Sequence, residues 1–124
     1  MKIQLTHQES ESIFFDALCN GLNELCYYDL DVRYNEDDYR EAREKLESPC
    51  FEDVLMQMLR DGKYIYLHDL NDEDEVHAIN LDKVHENVEK APLRHLMDAI
   101  NEDGDATTAD VILQTVFLGE VIFG

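Results

Sequence analysis

The stretch YIYLHDLNDEDEVHAINL, from Tyr64 to Leu81, decides between two readings of the chain. His68 and His77 bracket eight residues, five of which are Asp or Glu. If these groups converge, the segment is a site. If its flanks pair, it is a hairpin. Tyr64–Leu67 and Val76–Leu81 are both rich in β-prone residues, and Ile65 and Leu67 have natural cross-strand partners in Ile79 and Leu81. The pattern therefore predicts a β-hairpin over about 63–81, with the acidic residues in a longer polar loop. No Asn-Gly or Asp-Gly fixes the turn type.

Before the hairpin, KIQL at 2–5 reads as a short strand. Thr6 and Glu9 then form a capping box. Ile13, Phe14, Ala17, Leu18, Leu22 and Leu25 recur at helical spacing behind it, so a helix is expected over 7–26. YYDLDVRY, 27–34, alternates Tyr28, Leu30, Val32 and Tyr34 against charged residues, the pattern of a half-buried strand. Asn35 can cap a thin, mostly exposed helix over 36–47, with Glu36–Arg40 and Glu41–Lys45 at i,i+4. Ser48-Pro49 signals the next start, with Pro49 at the first helical position. Phe51, Val54, Leu55, Met58 and Leu59 make its apolar face, and Gly62 stops it. A face bearing methionine can be a binding groove, but among larger aliphatics it reads as core.

After the hairpin, Asn80 or Asp82 starts a helix carrying Leu81, Val84 and Val88. Ala91-Pro92 breaks it and opens another, with Leu93, Leu96, Met97 and Ile100 facing inward. NEDGD at 101–105 is a loop. Thr107 with Asp110 reads as a capping box for a helix through Phe117, ended by Gly119. The tail EVIFG is apolar and reads as an edge strand or as a self-association patch. No repeat or linker divides the chain. The expectation is one acidic α+β domain over 1–124, with five or six helices and a small, mostly antiparallel sheet.

The order helix, strand, helix, helix, strand, loop, strand over 7–81 is similar to that of winged-helix domains. That resemblance implies that FEDVLMQMLR, 51–60, would stand where a base-reading helix stands. It carries one Arg and two acids, whereas major-groove readers present Arg, Lys, Asn or Gln. Direct nucleic-acid binding is not expected.

Charge points the same way. The 124 residues carry 29 acids against 10 Lys and Arg, a net −19. On a surface of the size this mass implies, that is about one uncompensated negative charge per 360 Å². Phosphate backbones and anionic lipids are repelled; basic proteins and cations are attracted. Cys19 and Cys26, seven apart on one helix, are too far apart for a disulfide, and no CxxC occurs. The N-terminus lacks an apolar signal stretch, and no run is long enough to span a bilayer, so a cytoplasmic setting is expected.

Each chemical constellation lacks a part. An EF-hand starting at Asp69 needs Gly at 74 and Glu at 80, where Asp74 and Asn80 stand. HENVE, 85–89, places His85 and Glu89 one turn apart but lacks the second histidine of HExxH. His68, His77, His85 and Glu89 are nevertheless the residues a metal-dependent hydrolase would use. Cys50, near a helix start, gains thiolate character from the dipole but faces Glu47, Glu52 and Asp53. No GxSxG or phosphate-cradling glycine loop is present.

The sequence thus predicts a non-catalytic module, without cofactor, metal or catalytic residues, that binds a protein with a basic surface. One alternative is a nucleic-acid mimic that occupies a basic DNA-binding protein. Its acids would come from the hairpin and from NEDGD, since in helix 36–47 Arg40, Arg43 and Lys45 interleave with Asp37, Glu41 and Glu44. The other alternative is the hydrolase. A second copy meeting through the C-terminal apolar segment is a further candidate partner.

Overall fold

Thr6 sets the first helix as its side chain predicts. Its Oγ1 accepts the Glu9 N–H at 3.1 Å, and the Glu9 carboxylate accepts the Thr6 N–H at 2.9 Å. Helix α1, His7–Tyr27, follows. The computed structural model describes residues 4–124, so the strand expected at 2–5 falls largely outside the described residues. Beyond α1 come β1 (Leu30–Tyr34), α2 (Glu36–Glu44), α3 (Phe51–Arg60), β2 (Ile65–Asp69), β3 (Asp72–Ile79), α4 (Leu81–Val88), α5 (Leu93–Ile100) and α6 (Ala106–Leu118). This is an α+β fold, and over 7–81 the helix–strand–helix–helix–strand–strand order is the one expected. The sheet is antiparallel throughout, in the order β1-β2-β3.

One apolar core draws on every helix and strand. α1 lies along α6, held close by a missing side chain. A Cβ on Gly21 would stand 2.9 Å from the Ala109 Cβ and 3.0 Å from its backbone carbonyl carbon. The α3 face buries Val54, Leu55, Met58 and Leu59, and Met56 with them. Both methionines are therefore core, not groove. Lys63 N–H to Met58 O and Gly62 N–H to Leu59 O, both 3.0 Å, close α3 in a Schellman motif, with Gly62 at φ +82°.

Several boundaries differ from expectation, each for a local reason. Tyr27 belongs to α1, and Asp29 turns the chain at φ +59°, so β1 starts only at Leu30. α2 stops at Glu44. Ser48, before Pro49, takes φ +49°, and the extended Cys50 caps α3, so Pro49 stands outside the helix. The i,i+4 pairs expected on α2 give way to Arg40–Asp37 at 3.5 Å and Lys45–Asp61 at 2.9 Å. α6 is capped by Asp105, which accepts the Thr108 N–H at 3.0 Å, and not by Thr107. Asp110 is drawn inward, accepting the Tyr28 hydroxyl at 2.7 Å and the Gln114 amide at 2.8 Å.

The tail forms no strand. Gln114, fully buried, accepts the Ile122 and Phe123 N–H groups at 2.9 Å each, and Phe123 stacks on Tyr28. α5 is the largest departure. Leu96 is buried, but Leu93, Met97 and Ile100 are 47%, 44% and 41% exposed. Their periodicity marks an apolar face correctly; nothing in the described chain covers it.

Candidate interaction surface

The sheet's own period separates the two histidines of the hairpin. Leu67 pairs with His77, while His68 pairs with Val76. Directly paired residues share a face and neighbours alternate, so His68 and His77 lie on opposite faces. Arg33 Nη1 is 3.5 Å from His68 Nδ1, and Glu75 is 3.1 Å from His77 Nε2. His85 turns to α1, where Glu11 Oε2 lies 2.9 Å from its Nε2 and His7 stacks on it at 3.8 Å. Glu89, one turn on, accepts the Leu5 N–H at 2.8 Å. The four residues of the hydrolase reading thus have separate partners, and no group of three potential metal ligands forms among the described residues.

Glu11 is the hinge of that second cluster, joining α1 to α4 through His85 and to α3 through Arg60 at 3.0 Å. Burial raises its carboxyl pKa, but hydrogen bonds from His85 and Arg60 outweigh burial and hold it below the ordinary value. Cys50 is not activated. The Asp53 N–H lowers its thiol pKa, but the Asp53 carboxylate 3.1 Å from Sγ raises it, and the net shift is upward. Burial, followed by the charge of Glu52, pushes Cys19 up to about 11. Among the described residues, all three cysteines are free and exposed.

The acidic stretch does not sit in a long loop. Leu70 and Asn71 alone make the turn, tied down by the Leu70 N–H to Asp29 O at 2.8 Å and by Asn71 Nδ2 to Asp29 Oδ2 at 3.1 Å. Asp72–Glu75 begin β3, an edge strand. The register jumps from Asp69↔Asp72 to His68↔Val76, so Glu73, Asp74 and Glu75 bulge without partners on β2. All four acids are exposed. A charged, bulged edge also keeps other strands from pairing with it.

The second acidic region borders a half-open groove of about 300 Å³ between α1, α6 and the α5–α6 link. Ile13, Ala17, Ala99, Ala109 and Ile112 supply its apolar wall, and Asp16, Glu102 and Asp105 its charge. No Lys or Arg lines it. Sequence reading singled out NEDGD but missed the groove, because α1 residues some ninety positions away form its other side. No family model matches the chain, and no curated protein or solved structure matches it either. Among the described residues, no helix is long and apolar enough to cross a membrane.

Proposed function

We propose that this protein is a non-catalytic acidic module that binds, and thereby regulates, another protein through that partner's basic surface. The observation that carries this reading is that two exposed acidic runs stand apart from any Lys or Arg among the described residues, whereas carboxylates such as Asp31, Asp37 and Asp61 are paired. Asp72–Glu75 and residues 101–105 are exposed, and neither run contains a Lys or Arg. Charges so placed act outward, where they steer a basic partner and fix its orientation. Apolar side chains lie close by: Leu70 and Val76 flank the first run, and Met97 and Ile100 precede the second. Three free, exposed cysteines fit a reducing, cytoplasmic setting.

The cation-free row on β3 also supports the nucleic-acid-mimic reading, in which the partner's basic surface is its DNA groove. The hydrolase reading finds no support in the separate partners of His68, His77, His85 and Glu89. Capture from extract of the protein's own cell at about 50 and 300 mM salt tests the proposal. The expected result is one stoichiometric basic protein, retained at low salt and released at high salt. Recovery of no basic protein overturns the reading. Displacement of the captured protein by duplex DNA selects the mimic.

A further inference from the structure

We infer that the groove between α1, α6 and the α5–α6 link is a socket for a Lys or Arg side chain on an amphipathic segment of the basic partner. This rests on the reading above and deepens it by naming the place and the binding element. An apolar wall with carboxylates at its mouth matches a side chain that has an aliphatic stem and a cationic head. Ala17, Ala99 and Ala109 leave the space, and about 300 Å³ gives room for a long side chain. Among the described residues, neither Asp16, Glu102 nor Asp105 forms an ion pair within the protein.

The positive end of α6 opposes a cation here, but its roughly half charge is met by the Asp105 cap, which leaves Asp16 and Glu102 to face the occupant. Asp105 is also fixed in place, because it caps α6. The occupant is amphipathic because of α5. Ala99 lines the groove, and the uncovered Leu93, Met97, Ile100 stripe begins about 100° round the same helix at Ile100, a separate face that a segment crossing α5 can reach. A segment that seats a cation in the groove has apolar groups to set against that stripe. A second copy of this chain fits poorly, since each copy brings a net −19.

The test titrates isotope-labelled protein with a synthetic helical peptide of Leu and Lys, followed by backbone NMR, alongside free spermidine and Asp16→Asn/Glu102→Gln protein. The expected result is shifts at Ala17, Ala99, Ala109, Ile112 and the α5 stripe. Binding should weaken roughly fivefold in the double variant, from the loss of two exposed charge pairs, with unchanged circular dichroism. Shifts confined to Asp72–Glu75 overturn the socket and leave the basic-partner reading standing. No binding by the peptide overturns the socket, while the basic-partner reading stands or falls on the capture experiment. Spermidine shifting the groove as strongly as the peptide overturns the protein-borne occupant. Line broadening with protein concentration alone assigns the stripe to a second copy and overturns the proposal.

Discussion

Gly21 and Glu102 are single residues whose backbone or missing side chain decides a packing geometry. Alanine at position 21 gains about 1 kcal/mol in helix propensity. Its Cβ, however, meets the Ala109 backbone at 3.0 Å, and a backbone cannot swing aside. Overpacking of this kind costs about 1–3 kcal/mol, so Gly21→Ala should lower stability to chemical denaturation on balance. Glu102 is the reverse case. It sits at φ +60° in the turn that ends α5, where the Asp103 N–H returns to Asp98 O at 2.8 Å. A non-glycine residue there costs about 1 kcal/mol, so Glu102→Gly should raise the melting temperature while removing one charge from the groove. Caps at Thr6, Asn35 and Asn80, and stops at Gly62 and Gly119, were legible because each is settled within a few residues. Asp110 was not. A bond to Tyr28 across the molecule overrode its local capping pattern.

At the scale of elements, the hairpin was legible and its acids were misplaced. Alternation at Ile65, Leu67 and Ile79 identified the strands, but Leu81, expected as a cross-strand partner, begins α4 instead, and Leu67 pairs with His77. The short turn depends on Asp29, a residue from another part of the chain, so nothing local announced it. Because Asp72–Glu75 are exposed, and Glu73–Glu75 bulge without partners on β2, replacing Asp72, Glu73 and Asp74 with Ser, Ser and Asn should change unfolding free energy by no more than about 0.5 kcal/mol. Thermal denaturation in calcium-free buffer measures this, and a large loss would give those carboxylates a structural role. α5 teaches the complementary lesson. A 3.6-residue period reveals an apolar face but not whether a neighbour lies against it. Leu93, Met97 and Ile100 face outward although the pattern assigned them inward.

For the whole molecule, a net −19 makes the folded state repel itself, so added salt at pH 7 should raise the melting temperature. Acid acts twice. Partial neutralisation relieves the repulsion as pH falls towards 5. Below that, Glu11 and Asp61 dominate, because both carboxyls sit lower when folded than their ordinary values of 4.5 and 3.8. Glu11 is lowered by His85 and Arg60 against burial, Asp61 mainly by Lys45. A depressed folded pKa means stability present above the ordinary value and lost as pH falls through the folded one. Melting temperature should therefore hold or rise between pH 7 and 5 and drop below about 4, with a shallower drop in Glu11→Gln. Composition alone foretold the charged exterior. It could not foretell that α1, α5 and α6 would gather part of that charge around an apolar groove.

The most direct test is the affinity for the captured basic protein, measured by calorimetry at three ionic strengths between about 50 and 300 mM. The account predicts a dissociation constant that rises at least roughly tenfold across that range, as screening weakens the charge pairing. An affinity that is flat or strengthens with salt would contradict it, because the negative exterior would then play no part in recognition.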